Sequence, residues 1–95
     1  MESQEMKTKI TIGLPAYNGA DTIKRAIDSL LVQTYSNFEL IISDDGSTDS
    51  TSQICKKYEE MDRRVKFIQK NKREGWVFNF IFLAEQAKTE YFMWA

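Results

Sequence analysis

The sequence contains no histidine, one cysteine and one proline. Without histidine, nucleophilic triads with an imidazole base, histidine-ligated metals and imidazole general bases are all excluded. Any acid–base chemistry falls to carboxylates, lysine or tyrosine. The lone Cys55 excludes an intrachain disulfide and a cysteine-based zinc site, and it reads as a small buried hydrophobe. An excess of one charge is also missing: 13 basic residues stand against 14 acidic ones, a formal net charge of −1. A nucleic-acid binder would usually show a basic stripe. The one basic cluster, Arg63, Arg64, Lys66, Lys70, Lys72 and Arg73, is interrupted by Glu74 and bordered by Asp62. It reads as a solvated rim around a strand, so no nucleic acid is expected. No apolar run approaches the roughly 20 residues that span a bilayer. The start, Met1 to Lys9, is polar and unlike a secretory signal, so the expected location is cytoplasmic.

What is present alternates in period. Residues 1–8 read as a disordered or frayed lead-in. Ile10, Ile12 and Leu14 alternate with smaller residues and predict a strand from about Lys9 to Leu14, stopped by Pro15. Ile23, Ala26, Ile27, Leu30 and Leu31 follow the spacing of one buried helical face, with Asp21 as the expected N-cap. Phe38 to Ser43 is nearly continuous in apolar character, as suits a central parallel strand covered on both faces. A second helix is predicted from about Thr48 or Ser50 to Met61, with Ser50 and Gln53 as a capping box and Ile54, Tyr58 and Met61 buried. Val65, Phe67 and Ile68 mark a third strand. Residues 76–88 fit two patterns: Trp76, Phe78, Phe80 and Phe82 alternate, while Val77, Phe80, Ile81 and Ala84 repeat helically. Their length without a breaker favours a helix, which also supplies the crossover that a parallel sheet needs. Tyr91 to Trp94 reads as a fourth strand.

The predicted fold class is therefore α/β: a parallel β-α-β-α-β-α-β sheet with helices on both faces, Rossmann-like. The aromatic residues crowd into 76–94, more apolar surface than these elements readily cover. An uncovered patch there implies a partner surface, and self-association through residues 76–94 is one form of it.

Two loops carry the chemistry. Ile41-Ile42-Ser43-Asp44-Asp45-Gly46-Ser47 ends a strand in two carboxylates and a glycine, and ligands of parallel sheets bind at the carboxyl ends of strands. Taken alone, Asp45-Gly46 is equally a favoured turn pair, and Asn18-Gly19 is too. Tyr17 by itself is as readily an aromatic packed on the sheet rim. If the first two strands are neighbours, however, Pro15 to Gly19 and Asp44 to Ser47 meet at one crevice. An aromatic face, an amide and two carboxylates there suit a planar base, and glycine at 46 allows close backbone approach.

In order and spacing, Pro15-x-Tyr17-Asn18, the link Gln33-Thr34-Tyr35-x-x-Phe38-Glu39-Leu40-Ile41-Ile42, and Asp44-Asp45-Gly46-Ser47-x-Asp49-x-Thr51 resemble the N-terminal half of family 2 glycosyltransferases. These are inverting enzymes with the GT-A fold. The resemblance runs from about Lys9 to Ala95 and implies that residues 9–95 are the nucleotide-sugar-binding half of a GT-A domain, ending before the acidic metal motif. It implies a nucleotide-sugar donor, most often UDP-linked, and a saccharide or lipid-linked acceptor for the full protein. Pro15 and Tyr17 would wrap the base, with Tyr17 stacked on it and Asn18 in the same loop. Asp45 would accept the base N3–H, and Asp44 would support the loop. A basic residue near 72–73, with Lys72 as the choice, would touch the base edge or the phosphates, and Asn79 would reach the donor, although the family's Asn-x-Gly is stretched here to Asn71–Gly75 and Val77-Phe78 replace its Ala-Arg. Mg2+ or Mn2+ is implied for the full-length enzyme, with ligands outside this chain. The general-base carboxylate would also come later, so the 95-residue chain is expected to lack turnover alone. Membrane association of the full-length protein stays open.

Other classes fit less of the sequence. A small doubly wound receiver-type signalling module also carries paired acids at strand ends, but it needs an acidic phosphoacceptor after its third strand, where Gln69-Lys70 stands. A dinucleotide-binding Rossmann domain needs Gly-x-Gly-x-x-Gly after the first strand, which is absent. A purely structural interaction domain leaves the two facing loops without a role.

Overall fold

The computed structural model describes residues 10–32, 37–89 and 91–95. The expected lead-in at 1–8, Lys9, the linker residues Gln33, Thr34 and Tyr35, and Glu90 lie outside the described residues. Seven elements alternate: β1 Ile10–Ala16, α1 Ala20–Leu31, β2 Phe38–Asp44, α2 Thr51–Met61, β3 Val65–Gln69, α3 Trp76–Gln86 and β4 Tyr91–Trp94. The strands form one sheet in the order β3-β2-β1-β4, and every pairing is parallel.

Alternation along β2 assigns the two faces. Phe38, Leu40 and Ile42 enter a core with Ile12, Leu14, Ile23, Ile27, Cys55, Tyr58 and Val65, so α1 and α2 cover that face. Ser43 points the other way and donates to Asn79 Oδ1 of α3 at 2.6 Å. Helix α3 therefore covers the second face, with Asn79 and Leu83 as its buried residues. The expectation of helices on both faces holds. The strand order reverses between β1 and β4, and such a switch point leaves a crevice beyond the carboxyl ends of the strands.

Several local expectations are corrected. Pro15 does not stop β1, which continues to Ala16 and pairs Pro15 with Ser43. In a parallel strand, successive residues direct their backbone groups to opposite neighbours. Ala16 faces β2, where its carbonyl accepts from Asp45 N at 2.8 Å. Pro15 thus faces the β4 side, beyond the last registered pair, Gly13↔Trp94, and its missing N–H breaks no ladder bond. Asp21 is not the N-cap of α1; Gly19 is. Ser50 caps α2 in position only, with no side-chain bond, and Met61 is 66% exposed. In α3 the buried face is Asn79 and Leu83, not Val77 and Ile81, which stay exposed.

Asp49 caps both helix starts instead, α2 from its own loop and α1 from across the gap. Asp49 Oδ1 accepts from Thr51 N at 2.9 Å and from Thr51 Oγ1 at 2.5 Å, while Asp49 Oδ2 accepts from Ala20 N at 3.2 Å. Thr51 Oγ1 also accepts from Gly19 N at 2.9 Å. One carboxylate thus serves the first turns of two helices, where negative charge is favoured. The basic cluster of the sequence is broken into mixed-sign pairs, Arg64 with Asp62, Lys66 with Glu39 and Lys70 with Glu74. Among the described residues no helix is long and apolar enough to cross a membrane.

Two outcomes follow from this packing. Cys55 is fully buried, and burial, with Asp44 nearby, pushes its thiol pKa up to about 12. Since the thiolate is the reactive form, an aromatic disulfide reagent should label Cys55 only as fast as the protein opens, and immediately in denaturant. Rapid labelling of the native chain would contradict this packing. The Thr51 hydroxyl and amide hold the Asp49 carboxyl below the usual range. A carboxylate lowered on folding adds stability above its unfolded value, about 3.9, and loses it as pH falls through the folded value. Asp49→Ala should therefore melt below the parent at neutral pH, with the gap closing below about pH 4. A gap unchanged in acid melts would refute the assignment.

Candidate functional site

The end of β2 places two carboxylates in the interior. Asp44 is fully buried and Asp45 is 2% exposed. Buried carboxylates require donors, and each finds its own. Asp44 Oδ1 accepts from the Ser47 hydroxyl in a short bond, and its Oδ2 accepts from Ser47 N at 3.2 Å. Asp44 thus closes its own turn. Asp45 reaches across the sheet edge. Its Oδ1 accepts from Glu74 N at 2.9 Å and its Oδ2 from Gly75 N at 2.9 Å. The loop between β3 and α3 is also held at its start, where Lys70 N donates to Asp44 O at 2.9 Å.

Gly46 makes this close approach possible. Its φ is +82°, and a Cβ there would lie 2.8 Å from Arg73 N and 2.9 Å from the Lys72 carbonyl carbon. Any side chain would collide with backbone on which the loop depends. Gly75, at φ +104°, then turns the chain into α3.

The result is a cavity of about 180 Å³ lined by Pro15, Ala16, Tyr17, Asp45, Arg73, Trp76, Asn79 and Phe80. It sits at the carboxyl ends of β1 and β2, on the switch-point side of β1. The Arg73 guanidinium carbon lies 4.1 Å from the centroid of the Tyr17 ring, and Arg73 Nε is 4.0 Å from Asp45 Oδ2. A cation, an aromatic face and a carboxylate thus border one small space.

Of the residues proposed from sequence, Pro15, Tyr17, Asp45 and Asn79 line this cavity. Asn18 does not. It sits at φ 47°, its Oδ1 accepts from Thr48 N at 2.8 Å and Asp49 N at 3.3 Å, and its own N–H donates to Ser47 Oγ at 2.8 Å. Asn18 straps the first loop to the second. Asn79 lines the cavity while its side chain is held at both ends by Ser43, accepting from the hydroxyl and donating to Ser43 O at 2.9 Å. Lys72 lies outside the cavity, against a separate groove between β3 and α3 with Lys70, Phe78 and Phe82. Of the basic pair at 72–73, Arg73 is the one that lines the cavity. Adjacent loop residues diverge, and Glu74 and Gly75, which follow Arg73, are anchored on Asp45.

A divalent cation does not fit these residues. Among the described residues no group of three or more His, Cys, Asp or Glu side chains could hold one, and the oxygens of Asp44 and Asp45 already face protein donors.

Comparison with known proteins places this geometry. The profile of glycosyl transferase family 2 matches residues 11–95. Glycosyltransferase GlyA of Streptococcus pneumoniae is 43% identical over 61 residues, 64% of this chain and 9% of its own length. An uncharacterised glycosyltransferase of Rickettsia typhi is 37% identical over 94 residues, covering 99% of this chain and 28% of its own. The chain therefore spans under a third of the length of these relatives. Residues 1–349 of Staphylococcus aureus TarS superpose with a TM-score of 0.82 at 29% identity, over 92% of this chain and 26% of that one. That fragment has also been solved in complex with UDP. The Pyrobaculum calidifontis mannosyltransferase PcManGT, solved with GDP-Man and Mn2+, has a TM-score of 0.76 at 22% identity, over 86% of this chain and 25% of that chain; it shares the fold. With strand order, paired loops, sequence profile and relatives in agreement, the chain belongs to glycosyl transferase family 2.

Proposed function

We propose that this chain is the donor-binding portion of a glycosyltransferase and that its cavity takes the base of a nucleoside diphosphate sugar, with UDP as the preferred carrier. The observation that carries the reading is the convergence of Tyr17, Arg73 and Asp45 on one small cavity at the switch point. Pockets that bury whole drug-sized ligands run from about 300 to 1,000 Å³. A cavity of about 180 Å³ suits one planar ring, leaving the diphosphate and sugar outside it. An aromatic face stacks on any base. A carboxylate has about four lone-pair positions; two of Asp45's are taken by loop amides, and a remaining one would accept a base imide N–H. The solved TarS–UDP complex supports UDP as the first ligand to try.

In the full-length enzyme, an acceptor hydroxyl of a saccharide or lipid-linked acceptor would attack the anomeric carbon in line, inverting it. The residues described here would bind and orient the donor base and exclude water from it. A divalent cation, Mg2+ or Mn2+, would supply Lewis-acid stabilisation of the leaving diphosphate from residues other than these. Both cleft carboxylates are engaged by protein donors, which leaves neither free as the general base. This supports binding without turnover by the 95-residue chain, and sugar transfer by it would refute that part. A cytoplasmic setting belongs to the same reading, because anionic nucleotide sugars do not cross a bilayer unaided. So does self-association through residues 76–94, where Trp76, Phe78, Ile81, Tyr91 and Met93 are at least half exposed.

Calorimetric titration with UDP, GDP and ADP, with and without Mn2+, tests the reading. Saturable binding that favours UDP is expected, and Tyr17→Ala should weaken it by about 1–3 kcal/mol, the usual worth of a base stack. Equal binding of all three nucleotides, or no loss in the variant, would overturn it. Gly46→Ala should destabilise the fold by at least about 1–3 kcal/mol, since the positive φ and the backbone clash act together; chemical denaturation measures it.

A further inference from the structure

The Asp45 carboxylate stands between two roles: wall of the cavity and anchor of the loop that carries Arg73. Its surroundings favour weight on the second. Both oxygens accept main-chain amides, Glu74 N and Gly75 N, each at 2.9 Å, and the side chain is 3% exposed. Arg73 immediately precedes those amides. Its side chain is 58% exposed, and its contacts at the cavity are the Tyr17 ring and the Asp45 carboxylate. An exposed arginine has many rotamers, and only a fixed backbone limits where its guanidinium goes. The other supports act elsewhere on the loop: Lys70 Nζ holds the Glu74 side chain at 3.0 Å, and Asn79 N donates to Gly75 O at 3.1 Å. Lys70 N on Asp44 O fixes the loop's start, and Gly46 underlies Lys72 and Arg73 as a surface without directional bonds. Asp45 is the one side chain among these supports that accepts the main-chain N–H groups of 74 and 75.

We infer that Asp45 is a positioning residue for Arg73, so that its effect on the donor nucleotide is exerted largely through the 73–75 loop and the Arg73–Tyr17 contact. This rests on the donor-base reading above and deepens it. Arg73, the neighbour of the Lys72 chosen from sequence, is the residue through which the anchor acts. Placed over Tyr17 at 4.1 Å, its guanidinium holds the ring in one orientation and adds a planar cation at the rim, next to any base that stacks there. Releasing Glu74 and Gly75 removes that order without removing a single cavity side chain except Asp45 itself.

A double-mutant cycle on UDP binding separates the roles. Asp45→Ala and Arg73→Ala should each weaken UDP about tenfold, and the double variant should be no weaker than the worse single variant by more than about threefold. A product of the two single losses means that Asp45 acts on the nucleotide independently of Arg73, and overturns the inference. Asp45→Asn, which keeps the volume and one acceptor oxygen, guards against a failure of Asp45→Ala to fold. Amide exchange on it should show faster exchange at Glu74 and Gly75, with the β1 and β2 amides unchanged. Unchanged protection at those two amides overturns the anchoring itself. A parent chain that does not bind UDP refutes the donor-base reading instead, and the exchange arm then still decides whether Asp45 holds the loop.

Discussion

Two adjacent carboxylates buried at the end of β2 have to be given hydrogen-bond donors, and the rest of the cleft is arranged to provide them. Asp44 turns back on Ser47 and closes the first turn beyond the strand. Asp45 turns outward and gathers the amides of Glu74 and Gly75, which lie 29 and 30 residues further along the chain. Charge-assisted bonds of this kind are stronger than neutral ones, and an unpaired buried carboxylate is too costly to persist. The loop before α3 is consequently fixed by an electrostatic requirement rather than by its own sequence. Gly46 meets the steric side of the same requirement, because any Cβ there would meet the loop backbone.

Topology decides where this requirement is met. β1 is flanked by β2 on one side and β4 on the other, with α1 and α2 on one face and α3 on the opposite face. Connections leaving toward opposite faces part above the strand ends, and the space between them is the crevice. The loops at its floor are bound to each other more than to their own helices. Asn18 reaches Thr48 and Asp49, and Asp49 reaches Ala20. A polar mesh of this density keeps the rim in one arrangement, which preorganises any ligand contacts built on it.

Much of this was legible beforehand. The change of period from 2 to 3.6 along the chain located all seven elements, including the ambiguous helix at 76–86. The two loops were identified with their order and spacing, and the family resemblance followed from them and agrees with the family shown by comparison. The receiver-type alternative has no support at Gln69, where β3 ends without an acid. What failed was capping and facing. Asp21, Ser50 and Gln53 look like local caps, but the acceptor at both helix starts is Asp49, local to α2 and remote from α1. Val77 and Ile81 look like the buried face of α3, yet that face is chosen by where Asn79 meets Ser43.

By itself, then, the sequence determined the alternation of elements, the parallel sheet they build, the absence of histidine and disulfide chemistry, and the two loops that end β1 and β2. These depend on local spacing and residue type, which a linear reading contains. Tertiary structure alone decided that Arg73 rather than Lys72 faces Tyr17, that Asn18 is a strap and not a cavity wall, and that Asp45 is bound by main-chain amides of a distant loop. Each of those depends on strand order and on the approach of segments some 30 residues apart, and no periodicity within a segment records where a remote backbone amide will point.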